Sequence, residues 1–178
     1  MRNRLQKAAV ALIAISAIGL SGCTLSAGEP AQTPSKVYNS SSESHVTLVI
    51  DFGKDSNREV MVRNDVAVDA TAKSWQLFEA ADLKVEGTGD NPSAFVCRIE
   101  GWPSVAEQDC QDTPTYAEGN WAYFVTNPNL GPGWLLSPIG AAGHSVVCGG
   151  YEAWVWVAPN QSSNDVLPRF EPKTRGCA

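Results

Sequence analysis

Arg2, Arg4 and Lys7 precede an apolar run over residues 8–20, and Leu20-Ser21-Gly22-Cys23 closes it. A basic start, a short apolar stretch and small residues at a cut site form the pattern of a secretory signal. The run is shorter than the roughly 20 residues that a membrane-spanning helix needs. Residues 1–22 are therefore expected to be removed on export, and the rest of the chain must fold in an oxidising compartment. There Cys97, Cys110, Cys148 and Cys177 form an even set, expected to close as two bridges. Three pairings are possible. Neighbours in sequence pair at the least loop cost, which favours Cys97–Cys110 and Cys148–Cys177. The first closes a loop worth roughly 3 kcal/mol in the chain-entropy picture. No Cys-x-x-Cys pair occurs, and His45 and His144 are the two histidines, so the ligand set argues against zinc.

With Cys23 directly after the cut, this start resembles a bacterial lipoprotein signal. The resemblance implies that the Cys23 thiol takes a diacylglycerol and becomes the first residue. Acyl chains such as palmitate insert at about 0.8 kcal/mol per buried methylene. They would hold the protein on a cell membrane, at its extracytoplasmic face. Residues 23–44 are rich in Ser, Pro, Ala and Gly and poor in large apolar side chains, so they read as a flexible linker. Residues 45–178 have the length of one domain. Removing the signal leaves ten basic residues against 19 acidic ones, a mature charge of −9. That excludes the basic footprint of a nucleic-acid binder. It also disfavours a surface lying flat on anionic lipid, so the lipid must do the anchoring.

Within the domain, residues 45–52 alternate, with Val46, Leu48, Ile50 and Phe52 on one face of a strand. Residues 59–63 read as its hairpin partner across a turn-rich break at 53–57. Residues 69–82 show a helical stripe of Ala70, Ser74, Leu77, Phe78 and Ala81, with Asp69 as the cap. Residues 86–92 read as irregular. Further strands are expected at 94–100, 120–126, 134–137 and 151–157, followed by a Pro-rich tail that Cys177 pins back. The order β-β-α-β-β-β-β predicts an α+β domain: a mixed sheet with one packed helix, stapled by two disulfides.

That order resembles the β-grasp domains similar to the C-terminal domain of transcobalamin and intrinsic factor. The matching pieces are Val46-Thr47-Leu48-Val49-Ile50-Asp51-Phe52-Gly53, Ser74-Trp75-Gln76-Leu77-Phe78-Glu79-Ala80-Ala81 and Phe95-Val96-Cys97-Arg98-Ile99-Glu100-Gly101-Trp102-Pro103. Asn120-Trp121-Ala122-Tyr123-Phe124, Gly133-Trp134 and a final Trp-bearing strand complete it. Asn120-Trp121 stands where the family often has an aromatic pair, and residues 105–119 are long and polar. The resemblance implies a β-grasp-like domain that binds a ligand or a protein, with a corrinoid as one candidate ligand, and no catalysis.

The residues themselves point the same way. His144 and Ser145 are adjacent, and no nucleophile elbow, phosphate loop or paired metal ligands occur. An enzyme is not expected, nor a cofactor. Asp51 reads as a carboxylate on a solvated strand face, and Arg98 as a partner for Glu100, Asp51 or an acidic ligand group. All six tryptophans follow residue 74. Core packing is their default role. On the last strand, Tyr151, Ala153, Val155 and Val157 share one face, and Glu152, Trp154 and Trp156 the other. Either that second face is an exposed aromatic patch, or the tail folds over it with Val166, Leu167 and Phe170. Trp102 and Trp134 sit on or beside loops, where recognition is often carried. Trp102, Trp121, Tyr123, Trp134, Trp154 and Trp156 are thus the candidate ligand-binding residues. A pocket lined by Trp102, Trp121 or Trp134 would favour a small-molecule ligand. A flat aromatic face at Trp154 and Trp156 would favour a cell-envelope protein-protein interaction module without a small-molecule ligand.

The anchor is directly testable. Expressed in a bacterium, the protein is expected to enter the detergent phase on phase partitioning, and Cys23→Ala to leave it there no longer. Unchanged partitioning of the variant would contradict the lipoprotein signal.

Overall fold

The computed structural model describes residues 43–127, 133–173 and 175–177. The signal, Cys23 and the linker up to residue 42 lie outside them. Glu43 and Ser44, placed in the linker by sequence, already belong to the first strand.

A five-stranded sheet forms from β1 (Glu43–Asp51), β2 (Met61–Asp69), β5 (Asn120–Val125), β6 (Leu135–Leu136) and β7 (Tyr151–Val157). Its order is β2-β1-β7-β5-β6. The central pair β1 and β7 is parallel and every other pairing is antiparallel, so the sheet is mixed. A separate two-stranded ribbon joins β3 (Val85–Gly87) to β4 (Val96–Ile99). Both expected disulfides, Cys97–Cys110 and Cys148–Cys177, are present, with Cα separations of 5.7 and 5.2 Å.

The second strand, expected at 59–63, runs over Met61–Asp69, and the expected helix and the stretch 86–92 also need correction. The helix over 69–82 shrinks to a 3-10 turn at Ser74–Gln76 and one helical turn, α1 (Leu77–Ala80). Asp69 instead ends β2, and its carboxylate accepts from the Thr71 amide and hydroxyl at 2.7 and 2.5 Å, which closes a turn rather than a helix. The helical segment starts only after Lys73, whose amide donates to Gln76 Oε1 at 2.8 Å. Residues 86–92 are also not wholly irregular, because Val85–Gly87 pairs with β4.

Alternation along each strand gives the sheet two apolar faces. On one, Leu48, Ile50, Trp121, Trp154 and Trp156 pack against Leu77, Phe78 and the β3–β4 ribbon. On the other, Val49, Phe124, Ala153, Val155 and Val157 are covered by Val166, Phe170 and Trp134. All seven residues of β7 are therefore buried. The tail lies over the face opposite the tryptophans, so neither an exposed aromatic patch nor a tail-covered one exists at Trp154 and Trp156. Both rings pack into the core, and Trp156 also borders a cleft at the end of β7.

The tail is latched at both ends. Cys177 ties it to Cys148. At the other end Asp51, the last residue of β1, is only 1% exposed rather than solvated. Its carboxylate accepts from the Arg169 amide at 2.8 Å, from Arg169 Nε at 2.9 Å and Nη2 at 2.7 Å, and from the Gly53 amide at 3.0 Å. Arg169 keeps 42% of its side-chain surface in solvent. Removing either partner thus has unequal consequences. Arg169→Ala strands a buried carboxylate and is expected to cost about 3 kcal/mol. Asp51→Asn keeps the shape and leaves a cation that water reaches, but its amide nitrogen faces a donor that the carboxylate accepted from, at about 2 kcal/mol. Urea unfolding of the two variants checks this, and equal losses or the reverse order would contradict it.

Candidate functional site

Beyond the carboxyl ends of β1 and β7 the structure opens into a cleft of about 630 Å³. Four segments build it: the turn after β1, the loop after β4, the residues before β5 and the chain after β7. Each is fixed by chemistry that can be named.

Gly53 begins the turn at φ +80°, and a Cβ there would come within 2.9 Å of the Trp156 carbonyl, so the close approach of turn and strand requires glycine. The loop after β4 starts with a tight turn in which Ile99 and Trp102 exchange backbone hydrogen bonds, with Glu100 and Gly101 at positive φ. Arg98, buried, then holds the loop from inside. Its Nε donates to the Pro103 carbonyl at 2.6 Å and its Nη2 to the Gln108 carbonyl at 2.5 Å. Its Nη1 pairs with Glu86. Neither Glu100 nor Asp51 is its partner. With the Cys97–Cys110 bridge, Arg98 presents Trp102, Pro103 and Glu107 to the cleft. On the far wall, Tyr116 donates its hydroxyl to the Asn160 carbonyl at 2.5 Å and accepts the Asn160 amide on its own carbonyl at 2.9 Å. That joins the segment before β5 to the segment after β7.

The tryptophans divide between site and core. Trp102 and Trp156 meet edge to face at 6.5 Å, and both line the cleft. Trp121 is buried between Phe52 and Trp156, at 5.8 and 5.7 Å. Trp154 stacks on Tyr123 at 4.8 Å. Trp134 faces the tail, and its Nε1 donates to the Phe170 carbonyl at 2.7 Å. Of the six candidate ligand-binding residues, the cleft thus brings together two. The polar residues it adds, among them Lys54, Asp55, Glu107, Glu118 and Asp165, come from loops and one short 3-10 turn, which have no periodicity to mark them. Their one sequence signal is the long polar stretch 105–119.

A second polar group lies away from the cleft, on the helix side of the sheet. Glu152, 3% exposed, accepts from Ser74 Oγ at 2.9 Å and from the Tyr123 hydroxyl at 2.6 Å. His144 Nδ1 sits 3.1 Å from the same Ser74 Oγ. The arrangement superficially resembles a nucleophile–base pair, yet Ser74 is buried and its hydroxyl is shared between the carboxyl and the imidazole. Burial pushes the Glu152 carboxyl up to about 7, against the two hydrogen bonds that favour its charge. Burial, helped by the Glu152 charge, also raises Tyr123, which stays a neutral donor. Burial and then the nearby Lys73 hold His144 below its ordinary value.

Among the described residues no group of three or more His, Cys, Asp and Glu side chains could hold a metal ion. Comparison with protein-family models, with curated proteins and with solved structures found no match.

The buried carboxyl leaves a pH signature. The folded state keeps the Glu152 proton up to about pH 7, whereas the unfolded chain releases it near 4.5. Its contribution is full below the unfolded value and is lost as pH rises through 7, by about 3 kcal/mol. His144 acts with the opposite sign: its contribution is present above 6.5 and is lost as pH falls through its lowered folded value. Glu152→Gln is expected to abolish the loss between pH 4.5 and 7 and leave the histidine slope. Urea unfolding across pH reads this directly, and parallel pH profiles for variant and parent would contradict it.

Proposed function

We propose that the protein is a membrane-anchored extracytoplasmic ligand-binding lipoprotein, with the cleft between Trp102 and Trp156 as its ligand site. The cleft carries this reading. Its volume of about 630 Å³ falls within the roughly 300–1,000 Å³ common to small-molecule sites. It combines an aromatic floor with charged groups at the rim, on a scaffold held by a disulfide and a buried arginine. One further feature agrees with the β-grasp-like domain that the resemblance implies: a mixed sheet, ordered β2-β1-β7-β5-β6 with a parallel central pair, packed against a short helix. A corrinoid remains a candidate ligand, and the cleft would grip one edge of so large a ring rather than enclose it. The resemblance behind the reading implies binding, and no catalytic step is proposed.

One observation favours the rival, a cell-envelope protein-protein interaction module. Leu135 and Leu136 of the short edge strand β6 are exposed, as is Ile139 beside them. Sheet edges with exposed apolar side chains pair readily with other chains.

Tryptophan fluorescence of the full-length protein in non-ionic detergent, titrated with corrinoids and envelope glycans and corrected for ligand absorbance, separates the two. A saturable change with one of these compounds is expected, weakened by about tenfold in Trp102→Ala. Silence across the panel, with a partner protein cross-linked to the β6 edge in cells, would overturn the ligand-binding reading in favour of the rival.

A further inference from the structure

The cleft's chemistry narrows the ligand class. Five carboxylates and two cations line it. Asp51 and Arg169 are engaged with each other. That leaves Asp55, Glu107, Glu118 and Asp165 facing Lys54 alone, three negative charges in excess. Two of these carboxylates are firmly ionised: hydrogen bonds from Ser104 hold Glu107, and hydrogen bonds from Thr115 hold Glu118, below the usual range. The walls between them are apolar, formed by Trp102, Pro103, Trp156, Pro159 and Val166. A concave site with low-dielectric walls and charges of one sign focuses its field on whatever enters. An anion there meets net repulsion. A neutral molecule gains from the rings and nothing from the rim. A cation gains from both, since the face of an indole attracts positive charge. The same ring cluster already binds a cation from outside the cleft: the Arg58 guanidinium lies 4.7 Å from the Phe52 ring centre and 5.5 Å from that of Trp102.

We infer that the cleft selects an organic cation, an ammonium or guanidinium carried on an apolar body, an inference that rests on the cleft being the ligand site. The apolar body lies against Trp102 and Trp156, and the charge sits among Asp55, Glu118 and Asp165 at the rim. Lys54 opposes it from the same rim and sets part of the selectivity.

Calorimetric titration of the full-length protein in non-ionic detergent with 4-phenylbutylammonium, 4-phenylbutanol and 4-phenylbutyrate tests this, each against a detergent blank. The ammonium is expected to bind about tenfold more tightly than the alcohol at low salt, and the carboxylate more weakly than either. Added salt is expected to narrow the gap, because the rim charges are exposed. In the triple variant Asp55→Asn, Glu118→Gln, Asp165→Asn the preference for ammonium over alcohol should fall to about twofold or less. Should that variant not fold, Lys54→Gln provides the converse test and should widen the preference. Alcohol or carboxylate binding as tightly as the ammonium in the parent protein overturns the charge selection and leaves the ligand site standing. No binding of any of the three overturns the ligand site and the charge selection together.

Discussion

Asp51 is a carboxylate at the end of a central strand, almost wholly out of water, and its partner Arg169 lies 118 residues further along the chain. A buried charge of this kind is tolerated only when it is paired and hydrogen-bonded. Here one side chain and two backbone amides, those of Gly53 and Arg169, satisfy it. The consequence runs through the whole architecture. The ion pair brings the tail across the second face of the sheet, where Val166 and Phe170 cover Val49, Ala153, Val155 and Val157. It also fixes two of the four segments that wall the cleft, since the turn at Gly53 and the chain around Arg169 both end on the same carboxylate. The Cys148–Cys177 bridge closes the other end of the tail over 29 residues, worth about 3.5 kcal/mol by loop entropy. One face of the sheet is thus covered by α1 and the β3–β4 ribbon, and the other by a tail held with one covalent and one electrostatic latch.

How far the sequence revealed this follows the range of the interactions involved. Period-two alternation in 45–52 and 151–157 marks the two central strands because burial on opposite faces is a local pattern. The two disulfides were legible for a similar reason, since in each case the nearer cysteine along the chain is also the nearer one in space. The helix failed because a stripe at Ala70, Ser74, Leu77, Phe78 and Ala81 does not distinguish a long helix from a turn followed by a short one. The Asp69 carboxylate decided the matter by bonding to Thr71 instead of capping a helix. Asp51, Arg98 and the tail were misplaced because their partners are distant in sequence or are backbone carbonyls, and neither leaves a trace in composition.

The tryptophans show the same division. Those within strands, Trp121 and Trp154, are core residues whose alternation was readable, although alternation alone left open what covers the Trp154 face. Trp102 reaches the cleft because Arg98, a disulfide and a tight turn hold its loop in place. Trp156 reaches it because its strand ends there. The acidic rim arises where loops from four parts of the chain converge, so it is a property of the fold that no single stretch of sequence announces. Because the latch fixes two of its four walls, the site is complete only when the tail is docked.

The amide proton of Arg169 reports most directly on that dependence. It donates to the buried Asp51 carboxylate at 2.8 Å and exists as a protected proton only while the tail is docked. In NMR-detected hydrogen exchange on the full-length protein it is expected to exchange as slowly as the amides of β7. Exchange at the rate of a free peptide, with β7 still protected, would show that the tail is not latched and would contradict the account.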